Sequence, residues 1–186
     1  MKEIRVHGRG GQGAVTTAQI IAVAGFYDGK KSQAFPKFGV ERRGAPLEAY
    51  ARIDSKNINI RSQVYNPDYV IVLDSSLLST VDVTSGMKEG GILIINSKKP
   101  SSEIKAAGNI RVFTVKATEK ANEILNRPIV NTGVLGAFAA ITHEISLDSL
   151  HKAIDSEFEG EIAEKNKQVV TELYNSTTKD LLRMVK

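Results

Sequence analysis

The chain has no cysteine among its 186 residues. That excludes disulfides, thiolate zinc sites and cysteine-ligated iron–sulfur clusters, so any redox metal it serves belongs to another polypeptide. Metal-ligand spacing is missing too, because the three histidines, His7, His143 and His151, are scattered. No apolar run approaches the roughly 18 residues of a membrane helix. The first residues carry neither the basic nor the apolar region of a secretory leader. These absences predict a cytoplasmic protein with no membrane contact. Disorder signatures are also lacking, and the length suits one domain over 1–186.

Charge is present but uneven. The formal net charge is +4, yet residues 1–60 hold ten Lys/Arg against five Asp/Glu, which is +5 and leaves −1 for the rest. An anionic ligand or an acidic partner suits that placement. A solvated surface suits it equally.

The basic region contains the most distinctive stretch. Ile4 and Val6 alternate in a first strand that runs into Gly8-Arg9-Gly10-Gly11-Gln12-Gly13. Val15, Ala18, Ala22 and Gly25 then recur at helical spacing until Asp28-Gly29. No Ser, Thr, Asp or Asn caps that helix, so its first N–H groups need another partner. Gly8, Gly10 and Gly13 fit G-x-G-x-x-G, but the companions of a dinucleotide site are missing. Lys31 to Val40 contains no acid for a ribose hydroxyl. Ala14-Val15 stand where a P-loop places Lys and Ser/Thr. Three readings stay open for the glycines: a tight turn with close packing, an anion contact, or a partner contact. His7 lies beside the loop without a positioned partner, and no catalytic residue or metal ligand is assigned.

Further on, Ser32 to Phe35 suits a short strand, and Pro36 to Pro46 is a loop bearing Glu41-Arg42-Arg43. The triplet fits a solvated loop or a contact to a partner or anion. Leu47, Ala49, Ala51 and Ile53 alternate with Glu48, Tyr50 and Arg52, and Ile58-Asn59-Ile60 follows a turn. This predicts an antiparallel hairpin over 47–60. The apolar runs Tyr69–Leu73, Ile92–Ile95 and Ile110–Val115 read as buried parallel strands. Asp74-Ser75-Ser76 offers polar groups or a cap at one strand end. Helices are expected from Ala117 to a stop at Pro128, after Asn131-Thr132-Gly133, from a Ser146 cap, and along the polar tail 159–186. The expected fold class is α/β, a mostly parallel sheet flanked by helices with that hairpin as the departure.

Two segments, His7 to Ala18 and Gln33 to Pro46, resemble the gamma subunits of pyruvate:ferredoxin oxidoreductase (pyruvate synthase). The likeness continues through Asn66-Pro67-Asp68, Val72-Leu73-Asp74 and Asn131 to Phe138. It implies a non-catalytic piece of an enzyme that turns a 2-oxoacid and coenzyme A into acyl-CoA and CO2 while reducing ferredoxin. In that family thiamine diphosphate, Mg and the iron–sulfur clusters sit on alpha, beta and delta-type partners. None would be bound by this chain alone, which has no thiamine-type Gly-Asp-Gly segment. No nucleic-acid partner is implied. The resemblance makes Gly8, Arg9, Gly10, Gly11, Gln12, Gly13, Arg42 and Arg43 the candidate contact to coenzyme A, another anion or a partner subunit. The loop ending at Pro46 would then lie beside the glycines. The alternatives are a gamma subunit for a different 2-oxoacid and a free-standing nucleotide-binding protein.

Overall fold

Six strands form one mixed sheet in the computed structural model, which describes residues 1–37, 42–106, 108–127 and 130–184. They are β1 (Lys2–Arg9), β2 (Lys31–Pro36), β3 (Pro46–Asp54), β4 (Tyr69–Val72), β5 (Ile92–Asn96) and β6 (Arg111–Val115). Their spatial order is β2-β3-β1-β4-β5-β6. β1, β4, β5 and β6 pair in parallel, while β3 is antiparallel to both β1 and β2. Five strands therefore run one way and β3 alone runs against them. The mostly parallel α/β class expected from the apolar runs is what forms.

The antiparallel departure sits elsewhere than over 47–60. β3 meets β2 with Lys31 opposite Asp54 and Pro36 opposite Ala49, and it meets β1 with Lys2 opposite Ile53. Both of its edges are thus occupied, and Ile58–Ile60 has none to join. Residues 57–60 are not strand, and the Ile60 carbonyl accepts instead from Gln33 and Arg52 side chains.

All five helices contribute to one core on one side of the sheet. They are α1 (Ala14–Tyr27), α2 (Ala117–Leu125), α3 (Gly133–Thr142), α4 (Leu147–Glu157) and α5 (Gly160–Met184). Ile4, Val6, Ala51, Ile71 and Ile94 supply the sheet's half of that core. As its composition predicts, α3 is buried nearly all round. A side chain at Gly136 would stand 2.1 Å from the Val170 carbonyl, so α3 and α5 approach at backbone distance. Ser146 caps α4 by accepting from the Ser149 N–H at 3.1 Å. Asp28, just past α1, accepts from both serine hydroxyls at 2.7 Å and joins the two helix ends. Pro128 lies outside the described residues; within them α2 ends at left-handed Asn126.

The opposite side carries loops and two 3-10 turns, Ser75–Ser79 and Ser101–Glu103. Beneath β4 and β5 it is apolar, with Val70, Val72, Leu93 and Ile95 packed against Leu77 and Val83. Beneath β1 and β3 it is polar yet buried, holding Arg5, His7, Tyr50 and Arg52. Among the described residues, no helix is long and apolar enough to cross a membrane.

Candidate functional site

The parallel strands end along one edge, where an open α/β sheet offers its crevice. β1 delivers the glycine loop to that edge. Gly13 is the N-cap of α1 in the left-handed region, φ 79°, and no side chain caps the helix, as the sequence predicts. A Cβ there would meet the Asn131 amide nitrogen at 2.6 Å, so Gly13 brings the loop against the start of α3. At Gly10 a Cβ would stand 2.4 Å from the Arg42 carbonyl. The chain after Arg42 lies on Gly10: the Gly10 N–H donates to Ala45 O at 2.9 Å, and the Gly44 N–H to Gly10 O at 3.1 Å. The glycine loop and the segment ending at Pro46 are therefore joined backbone to backbone. Phe38–Glu41 fall outside the described residues.

Arg9 and Gln12 are used within the loop. Arg9 Nε donates to Asp74 Oδ2 at 3.1 Å, and its other nitrogens reach Gly44 O at 3.1 Å and Ser76 Oγ at 2.8 Å. Gln12 accepts from the Arg9 N–H at 2.7 Å and donates to Asp74 at 3.0 Å. Asp74 also caps the first 3-10 turn by accepting from the Ser76 N–H at 2.9 Å. Burial pushes the Asp74 carboxyl up, but the bonds from Ser76 and Gln12 and the Arg9 charge prevail and hold it below its usual range. Asp74 is thus the hub that fixes Arg9, and Arg9 clasps the 42–46 segment. Arg42 and Arg43 are exposed on that segment.

Beside the loop opens a cleft of about 1320 Å³, reaching past the ends of β4, β5 and β6. Lys98, Lys99, Lys105 and Lys116 line it, with Glu119 3.5 Å from Lys98 and 4.0 Å from Lys116. Asn96 fixes its floor, donating to Leu73 O at 2.9 Å and to Thr118 Oγ1 at 2.8 Å. Asn131 is 7% exposed, and its Oδ1 has no hydrogen-bond partner among the described residues. Gly11, Gln12 and Gly13 share this lining. Lysines beside an uncapped helix N-terminus suit an anion.

His7 takes no part in the cleft. It is buried on the loop side of the sheet, its Nε2 unpartnered among the described residues. Desolvation and then the Arg5 charge push it down to about 4, so it is neutral at pH 7 and a weak base. Among the described residues, no three His, Cys, Asp or Glu gather to hold a metal ion.

A family model described as pyruvate ferredoxin/flavodoxin oxidoreductase matches residues 3–176. The chain belongs to that family. Pyruvate synthase subunit PorC of Methanosarcina barkeri is 58% identical over 154 residues, 83% of this chain and 85% of the relative. The pyruvate/ketoisovalerate oxidoreductases common subunit gamma of Thermococcus kodakarensis is 53% identical, covering 95% of this chain and 97% of its own length. A crystal structure of pyruvate oxidoreductase subunit PORC from Thermotoga maritima matches with a TM-score of 0.83 at 37% identity, over 94% and 95% of the two chains. The chain is accordingly the gamma subunit of a heteromeric 2-oxoacid:ferredoxin oxidoreductase.

The sequence points to the glycine loop and the arginine segment, and the structure brings them together. Sequence reasoning passes over Asn131 and the four lysines. They come from three connections: Lys98, Lys99 and Lys105 lie between β5 and β6, Lys116 follows β6, and Asn131 precedes α3. Asp74 is legible as a polar group or a cap at a strand end, but its bonds to Arg9 and Gln12 span more than 60 positions.

Proposed function

We propose that this gamma subunit is non-catalytic and works only within an assembled pyruvate:ferredoxin oxidoreductase. Its alpha, beta and delta-type partners hold thiamine diphosphate, Mg and the iron–sulfur clusters in the cytoplasm, and electrons leave to ferredoxin. The observation that carries this reading is 58% identity to a pyruvate synthase subunit in a chain with no cysteine to ligate a cluster. The surface formed by Arg9–Gly13 with Arg42 and Arg43, in front of the buried Gly8, faces a partner subunit and the phosphates of coenzyme A. Exposed arginines on a segment clasped to an uncapped helix N-terminus support that assignment.

Purification of the tagged chain from its own cells tests the assembly. Partners carrying thiamine and iron are expected to come with it, and a chain that arrives alone would overturn the reading. In the recovered complex, replacing Arg42 and Arg43 with Ala is expected to raise the KM for coenzyme A about tenfold, at about 0.7 kcal/mol per lost phosphate contact. An unchanged KM with lost assembly would assign the arginines to the subunit contact alone.

A further inference from the structure

The loop side of the sheet contains a surface that the activity does not explain. Residues 55–68 join β3 to β4 without forming any helix or strand. Fourteen such residues form a long connection for a chain of this size, and long connections of this kind are usually functional. Its course is nevertheless fixed from below. Arg52, 1% exposed, donates to Ile60 O at 3.4 Å, Ser62 O at 2.8 Å and Gln63 O at 3.2 Å. Glu3 pairs with the same guanidinium at 2.9 Å, and the Phe35 ring lies 5.3 Å from it. Val64 plugs the segment into the core, and Asn66 donates to Gly86 O at 3.1 Å. The next loop is held the same way, since Arg5 donates to Val83 O at 3.0 Å and Ser85 O at 2.6 Å. At Gly86 the two loops touch so closely that a Cβ would stand 2.2 Å from Tyr65 O.

A buried charge is spent on holding a surface loop in one shape, and that loop presents apolar groups to solvent. Tyr65 is 67% exposed and Ile60 is 44% exposed. Arg61 is exposed between them, Lys56 is exposed nearby, and Ser55–Asn66 contains no acid; Asp68, further along the connection, is paired with Lys88. Tyrosine, an aliphatic side chain and arginine on a preorganised backbone have the composition and rigidity of an interface centre.

We propose that Ser55–Asn66, pinned by Arg52, is a docking surface for another subunit of the oxidoreductase, one that presents an apolar pocket for Tyr65 and Ile60 rimmed by carboxylates. This rests on the subunit reading above. The carboxylate rim follows from the exposed Lys56 and Arg61. One observation favours a different chain over a second copy: Lys56 and Arg61 give Ser55–Asn66 a single charge sign, so two copies meeting through it would repel.

The test is the native complex recovered through the tagged chain. Tyr65→Asp and Ile60→Asp are each expected to lower the co-recovered subunits at least about tenfold, the loss usual at an interface centre. Arg61→Glu is expected to do so at low salt and to lose its effect as salt rises. Ile162→Asp and Phe26→Asp, exposed elsewhere, are expected to recover wild-type amounts. Tyr65→Ala guards against misfolding, because it must reproduce the loss while the purified chain melts like wild type. Wild-type recovery from the Tyr65 and Ile60 variants would overturn the proposal. So would a homodimer of the wild type that Tyr65→Asp dissolves, which would make a second copy the occupant. If the wild-type chain itself recovers no partner, the subunit reading falls first and the docking surface with it.

Discussion

The two sides of the sheet solve the same burial problem with different chemistry. On the helix side the strands contribute Ile4, Val6, Ala51 and Ile71, and five helices cover them. Apolar area removed from water stabilises that side without needing any one contact. On the loop side, beneath β1 and β3, Arg5 and Arg52 are buried and their N–H groups take up loop carbonyls. Here stability depends on individual bonds, because a buried charge is costly unless it is paired. Strand β3 serves both, with Ala49, Ala51 and Ile53 facing one way and Tyr50 and Arg52 the other. The helix side makes the fold, and the loop side sets the shape of surface segments.

The strongest way to break the comparison is on the helix side. Phe138 in α3 is fully buried, with the Tyr69 ring 5.7 Å away edge-on. Phe138→Ala is expected to cost about 3–5 kcal/mol, measured by urea unfolding, with loss spread over the whole molecule. Arg52→Met is the counterpart on the loop side. It leaves Glu3 and three loop carbonyls without their donor, at an expected cost of about 3 kcal/mol. Hydrogen exchange should quicken first at residues 55–66. If it quickens evenly across the sheet, the two sides do not differ as described.

His7 gives the comparison a pH signature. Its folded value near 4 lies below the ordinary 6.5, so the folded state disfavours its charged form. Between those values the unfolded chain binds more protons, so stability is full above pH 6.5 and falls as pH drops toward 4. The change attributable to His7 is about 3 kcal/mol over that window. Arg5 and Lys37 act in the same direction, and Glu48 and Asp82 oppose them. His7→Gln is expected to flatten the stability profile between pH 4 and 6.5, and an unchanged slope would refute this account. A smaller effect belongs to the edge itself. Gly10→Ala drives a methyl into the Arg42 carbonyl and is expected to cost about 1–3 kcal/mol, read as a lower melting temperature.

Much of this is legible in the sequence, for reasons that differ by element. The helical spacing after Gly13 gives α1, and the continuous apolar runs give β4 and β5, because burial on both faces leaves one pattern. The third strand expected to be buried, β6, forms but lies at the sheet edge, half-buried with Arg111 exposed. The pairing of the glycine loop with the segment before Pro46 follows the expectation of neighbours at one edge. The hairpin over 47–60 failed because alternation tells which side chains share a face, not which strands fill the two edges. Arg52 in that alternation reads as one more polar outward residue. Its burial depends on carbonyls at Ser62 and Gln63, in a segment with no periodicity of its own. The cleft is invisible for a similar reason, since Asn131 and Lys116 meet Gly13 only through the fold.

The central claim is that this chain acts only as part of a larger oxidoreductase. Its most direct test is pyruvate- and coenzyme A-dependent reduction of a viologen dye, measured for the purified chain and for the complex recovered with it. The account predicts turnover by the complex and none by the chain alone. Sustained turnover by the chain alone would contradict it.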